Sequence, residues 1–599
     1  MTYPRLLTLF ACLGLAACED KIDLDPIDET TPVEAEVRPP AILGGTLTLT
    51  PDGLAIAADP DRDLVHIVDL DAGQVRHTIT LKPGDLPHRV VLGSEGLAHV
   101  VLRGAGGIAT IDITAGKVTA RHGLCPEPRG LAFADADASL YVACAGGSLF
   151  HLTEAGAVLE RHELEPDLRD VLIVGGEVKV SLFRAAAIVG LDGSRIELPP
   201  LEDSVARVAW RTWATPDGGI AMLHQTASKK PVPIDPEDDE IEDGGAPYGG
   251  GGGCQFGIVN AAITTIDADG IRTTPLVDSN LTVDAAFSAS GDLVAMAVPG
   301  VIRPEDVVEV HEHGVDKQKS LRFEFPEEAI PAVRPPVRIE GKHDGGCNFD
   351  GLERDYGQVT AVAYAANGHL VMQSREPAQI LVLANQYEGA VEKIALTGGA
   401  RFDTGHEIFH RATDSGLSCA SCHPEGTDDG HVWSFEDLGP RRTQPIDVGL
   451  KDTAPYHWDG DMQDFDVLMS EVLAHRMGGK RQSSARSDSF TRWIFAQQRP
   501  AVIGDEAPVM VSRGEQLFAA YACTKCHDGA ALGGQRTETI AGEEKQVPTL
   551  RRVSLHPPYM HDGRSATLED AIRDMISKTR EDTAPAEDVD AIAAYLRTL

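Results

Sequence analysis

Two pentapeptides, Cys419-Ala420-Ser421-Cys422-His423 and Cys523-Thr524-Lys525-Cys526-His527, share the pattern Cys-x-x-Cys-His. Two thiols at this spacing reach the two vinyl groups of one porphyrin, and the imidazole that follows lands beneath its iron. With 10 Cys and 21 His in 599 residues, two accidental matches are negligible. Zinc also takes Cys-x-x-Cys pairs, but a histidine directly after both pairs points to haem. No βαβ pattern surrounds either pair, which argues against disulfide exchange. The expected cofactors are two covalently bound haem c, attached at Cys419, Cys422, Cys523 and Cys526, with His423 and His527 as proximal iron ligands.

Each motif needs helices to place it. Gly405 to Phe409 leads into the first and Arg513 to Phe518 into the second, both readable as short helices. Asp588 to Leu599 (DVDAIAAYLRTL) is an amphipathic closing helix. Thr567-Leu568-Glu569-Asp570 is a helix start, after which Leu568, Ile572, Met575 and Ile576 share one apolar face. Two mainly α-helical cytochrome c domains are expected, over 399–505 and 506–599.

Residues 41–398 read differently. Short runs of alternating apolar residues are broken by turn signals such as Pro51-Asp52-Gly53. The cadence of 46–80 returns in GLAHVVLRGAGGIATIDITAGKVTA, in GLAFADADASLYVACAGGSLFHLTEAGAVLE, in TVDAAFSASGDLVAMAV and in VTAVAYAANGHLVMQSREPAQILVLA. A four-strand unit recurring in this way is the signature of an all-β propeller, here of about seven blades. The cadence resembles YVTN/YncE-type propellers. One blade is interrupted by Pro231 to Gly253, whose acids, among them Asp235, Glu237, Asp238 and Asp239, read either as a solvated loop or as a grip on a cation.

The N-terminus and the charge bound the setting. Arg5 and the apolar run Leu6 to Ala17 end at Cys18, which resembles a bacterial lipobox and implies removal of residues 1–18 as a leader with lipid on Cys18. Glu19 to Pro40 is acidic and Pro-rich, as a flexible tether would be. Lys+Arg 53 against Asp+Glu 92 gives a net charge of −39, which excludes nucleic acid as a partner. The expected location is the periplasm, with the outer membrane favoured and the lipid as sole membrane contact. In that oxidising compartment Cys125 and Cys144 can pair, as can Cys254 and Cys347, buried free thiols being the alternative.

Over 399–599 the tandem resembles the bacterial dihaem cytochrome c peroxidase/MauG family. The matching strings are GHEIFHRATDSGLSCASCH, GHVW (430–433), WDGD (458–461), RGEQLFAAYACTKCHDGAALGGQ and VPTLRRVSLHPPYMHDGRSATLEDAIRDM (547–575). The resemblance implies an electron-accepting C-terminal haem with Met575 as its distal ligand, Met560 and His561 being the other candidates. It also implies an N-terminal haem where peroxide reacts, a displaceable distal ligand at His431, and an inter-haem tryptophan at Trp458. An interdomain calcium on the carbonyls of His556 and Pro558 is implied as well. The family's pocket glutamate falls near Arg476 here. His475 with Arg476, oriented by Glu471, could take over the proton transfer and charge stabilisation that peroxide cleavage needs, or the three could form a solvated helix face. The expected function is a periplasmic dihaem oxidoreductase that takes electrons from a small c-type cytochrome or similar donor and reduces hydrogen peroxide. The alternative is a non-enzymatic electron carrier whose propeller docks a redox partner.

Overall fold

The structure, a computed structural model, describes residues 27–599 apart from 202, 216–217, 235–245, 250–256, 277–280, 290–293, 301–320, 325–335, 340–356, 385–390, 414, 500–505 and 581–582. Cys12, Cys18, Cys254 and Cys347, with the leader and the acidic run of the insertion, lie outside these residues.

Six four-stranded antiparallel meanders occupy 47–80, 87–123, 128–163, 168–196, 204–276 and 359–395. Period-2 alternation builds each one, and glycines at positive φ close its turns, as Gly53 does at 87°. The second strand of the first blade, Leu54–Asp59, is buried along its whole length, whereas the outer strand Gln74–Thr80 alternates with solvent. Neighbouring blades then share apolar layers, for example Ile56, Ile67, Val100 and Ile111. About seven blades were expected; the described residues form six. The cadence TVDAAFSASGDLVAMAV supplies only a hairpin, Asp284–Phe287 with Val294–Ala297, which packs on Val359–Tyr364 between the fifth and sixth blades. The ring closes where Val359–Tyr364 meets Leu47–Leu49. Cys125 and Cys144 form a disulfide beside the third blade.

Two helical units follow the propeller. The first holds α1 (Thr404–His410), α2 (Cys419–Cys422), α3 (Phe465–Leu468), which runs on as a wider π-helical turn over Met469–Arg476, and α4 (Ser484–Phe495). The second holds α5 (Pro508–Ala520), α6 (Leu568–Arg580) and α7 (Ala586–Leu596). One apolar core runs through propeller and first unit together, joining Trp210, Phe183 and Val283 to Phe409, Phe490 and Trp493. The second unit has its own core of Phe518, Leu568, Ile572, Ile576, Val589 and Ile592.

In the second unit α5 crosses α7 at Gly514, where a Cβ would stand 1.9 Å from the carbonyl oxygen of Ala591. Backbone leaves no room to give way, so Gly514→Ala should destabilise the unit by about 1–3 kcal/mol. Thermal unfolding of the variant against wild type measures this, and an unchanged midpoint would refute the close crossing.

Of the tether expected over 19–40, the described residues 27–40 are docked. They form a strap laid along α1 and α4. The Thr404 N–H donates to the Val33 carbonyl (2.8 Å) and the Trp493 indole N–H to the Pro39 carbonyl (3.0 Å). Arg486 pairs with Asp28 at 3.3 Å, and Arg492 pairs with Glu34. Charge complementarity and backbone acceptors dock a stretch that lacks any apolar periodicity.

Candidate metal centres

The first Cys-x-x-Cys-His forms one helical turn. Ser418 precedes α2, and its N–H donates to the Ser421 hydroxyl (3.1 Å), which fixes the start. Cys419 and Cys422 lie on that turn with unpaired thiols, and the His423 N–H closes it on the Cys419 carbonyl (2.9 Å). Burial pushes the Cys419 thiol up to about 12 and also raises that of Cys422, so both are neutral thiols rather than ready thiolate ligands. His423 Nδ1 donates to the Thr427 carbonyl (3.2 Å), which leaves Nε2 as the atom with a lone pair to offer. The second motif repeats this. Cys523 and Cys526 are unpaired, and His527 Nδ1 donates to the Leu532 carbonyl (3.0 Å). Two free thiols and an oriented imidazole on a single turn are the donor set of a haem c, and both motifs fit that group.

A cytochrome c family model matches residues 511–599. The C-terminal region is a cytochrome c domain. Cytochrome c peroxidases are homologues of this chain: Ccp of Escherichia coli (strain K12) is 24% identical over 340 residues, 44% of this chain and 70% of its own length. Cytochrome c551 peroxidase of Nitrosomonas europaea is 34% identical over 135 residues, 18% of this chain and 38% of its own length. Among solved structures, hydrazine synthase of Kuenenia stuttgartiensis aligns over 60% of this chain and 99% of its own, with a TM-score of 0.41 and 15% identity.

Met575 lies on α6, whose first turn is held by the Thr567 hydroxyl accepting from the Asp570 N–H (3.1 Å). Leu568, Ile572 and Ile576 enter the unit's apolar core, while half-buried Met575 stays outside it. Met560 instead packs into that core beside Cys523. Trp458 lies where the two units meet. Its indole N–H donates to the Arg442 carbonyl (2.6 Å), its own carbonyl accepts from the Gln546 N–H (2.8 Å), and its ring stands 6.3 Å from that of His561.

Around His423 the structure redistributes the expected roles. Glu471 and His475 lie on the exposed side of the π-helical turn, whereas Arg476 points inward and is 9% exposed. His475 and Arg476 therefore differ in burial along the wider turn. The Arg476 cation lies near the Tyr248 phenol. The His431 ring packs edge-on against Trp433 (4.4 Å) and accepts at Nδ1 from Arg207 Nε (3.3 Å). Burial pushes its pKa down to about 4.

At the place where the resemblance implies calcium, the His556 carbonyl accepts from Arg442 Nη2 (2.8 Å). The His556 ring is clamped between Asp428 (2.5 Å) and Asp447 (3.1 Å), with Arg184 on Asp428 (3.0 Å).

Sequence reading missed the residues that bind propeller to haem site. Glu425, two residues past His423, enters the axis of the propeller and is fully buried between Arg103 and Arg169, each at 2.6 Å. Glu127 joins Arg103, Arg129, Arg499 and Arg552 in the same network. The signal was present: Arg89, Arg129 and Arg169 recur every 40 residues in LPHRVVL, EPRGLAF and DLRDVLI, at the axial start of successive blades. A charged residue repeated at a position that faces the ring's axis marks a lined channel.

Proposed function

We propose that the chain is a dihaem c-type oxidoreductase that accepts electrons at the His527 site and delivers them past Trp458 to the His423 site, where hydrogen peroxide is reduced to water. The observation that carries this is the pair of equivalent Cys-x-x-Cys-His turns with Trp458 between their units, in a chain homologous to cytochrome c peroxidases. Bound haem c would supply the electron storage and the open iron position; the protein supplies the rest. His423 and His527 offer Nε2 because backbone carbonyls hold Nδ1. Met575 would complete a His/Met pair, which would raise the potential of the site that collects electrons. His431 fits a displaceable role, since Arg207 engages its ring from the propeller and would have to release it before the ring could serve as an iron ligand. Arg476 brings a buried cation to the side where negative charge develops as the peroxide bond breaks.

The alternative reading as an electron carrier with a docking propeller gains less support, because the chain's own Glu425 and Asp428 fill the axial mouth facing the helical units. The lipid on Cys18, the periplasmic location and a small cytochrome as donor complete the reading, and they rest on the leader sequence and the homology. Met575→Ala should lower the potential at the His527 site and stop electron uptake from a small c-type cytochrome, while leaving both haems attached. Stopped-flow reduction followed at the haem absorption tests this, and uptake at the wild-type rate would remove Met575 from the account.

A further inference from the structure

The insertion in the fifth blade is fastened to the first helical unit. The Val232 N–H donates to the Ser434 carbonyl (2.7 Å), and the Glu436 N–H donates back to the Val232 carbonyl (3.1 Å). At its far end Ala246 lies against Gly478, where a glycine Cβ would come within 3.0 Å. The Tyr248 ring stands 5.9 Å from Phe435, and its carbonyl accepts from the Ile258 N–H (3.2 Å). Tyr248 thereby joins an apolar cluster that also contains Cys422, the second attachment thiol, together with Val472 and Met477 from the helical unit.

Within this cluster the polar atoms converge. The Tyr248 phenol lies near Arg476, whose cation acts on it and whose Nε is buried with no hydrogen-bond partner among the described residues. His457 faces the same space. It lies close enough to His423 and Arg476 for their charges to act on it, and its side chain is 36% exposed. His457 is also held at φ 63°, a left-handed conformation that a non-glycine residue keeps only where its surroundings over-determine it.

We propose that the propeller completes the ligand pocket of the first haem: Tyr248, carried across from the fifth blade, forms with Arg476 and His457 the polar wall that receives a small oxygen or halide ligand. This rests on reading His423 as an iron ligand. Packing of the Tyr248 segment on the turn that ends at Arg476 places the phenol and the guanidinium before a ligand enters, and no single helical unit contains the whole pocket. Pre-set donors of this kind strengthen binding of an anion far more than mobile ones do.

The test is fluoride binding to the full-length dihaem protein with the His527 site reduced and the His423 site ferric, followed by absorption. Tyr248→Phe should weaken fluoride about tenfold, the loss of one charge-assisted hydrogen bond, and Arg476→Lys should weaken it less because the cation remains. The spectrum at the His527 site serves as the check that each variant is folded. Unchanged fluoride affinity in both variants, or no fluoride binding by wild type, would overturn the composite pocket. Unchanged affinity with normal peroxide turnover would leave the peroxidase reading standing alone. A tenfold loss in a protein inert to peroxide would uphold the pocket and end that reading.

Discussion

Glu425→Ala should be among the most destabilising single changes in this protein. The carboxylate sits two residues beyond a proximal histidine and is fully buried between Arg103 and Arg169, at 2.6 Å from each. Removing it leaves Arg169 with no carboxylate partner among the described residues in a dry axis and Arg103 with Glu127 alone, and breaking a buried pair from one side costs about 3–5 kcal/mol. The damage should fall first on the loop that carries His423, because the Arg499 guanidinium also holds this loop by donating to the Glu425 carbonyl (2.7 Å). Thermal unfolding of the holoprotein, followed at the haem absorption, should show a lowered midpoint, with faster proteolysis between propeller and first helical unit. An unchanged midpoint would mean that the axis is not the joint described here. The same network sets the response to acid. Burial works to raise the carboxyls of Glu425 and Glu127, but the surrounding arginines overcome it and hold both well below the usual range. A depressed pKa contributes stability that is complete above the unfolded value of about 4.3 and fades only as pH falls through the folded value. The joint should therefore be insensitive to pH from neutrality to about 4 and fail only in stronger acid.

Arg476→Gln should have the largest effect on chemistry. Its guanidinium is the buried cation nearest the space shared by Cys422, Tyr248 and His457. Loss of one pre-organised donor at a site of developing charge typically costs about 10²–10³ in turnover. Peroxide reduction should fall by that order, while electron uptake at the His527 site proceeds at the wild-type rate, since nothing near α6 changes. Measuring the two steps separately distinguishes this from misfolding, which would slow both. Turnover within a factor of two of wild type would remove Arg476 from the pocket.

The parts legible in the sequence were those written in local spacing. Cys-x-x-Cys-His fixed the attachment turns, Thr567 announced α6, and the strand cadence announced a propeller. The blade count failed because TVDAAFSASGDLVAMAV has the cadence of a blade but contributes only two described strands. The pocket at His423 was harder for a physical reason. Tyr248 lies more than 170 residues before Cys422 in the chain, and a single tyrosine near a Gly-rich run carries no periodic signal. His475 was singled out because it adjoins Arg476, where the family's pocket glutamate falls, and its orientation by Glu471 assumed 3.6 residues per turn, which a π-helical turn does not obey. The acidic N-terminal segment looked unstructured because its partners, Arg486, Arg492 and Trp493, lie more than 450 residues away.

The most direct test of the central claim is the absorption and EPR spectrum of the purified full-length protein, fully oxidised and half-reduced, with and without hydrogen peroxide. The account predicts a chain carrying the mass of two haems, with a high-spin signal at the His423 site on half-reduction that disappears as peroxide is consumed. A single haem, or two low-spin haems indifferent to peroxide, would contradict it.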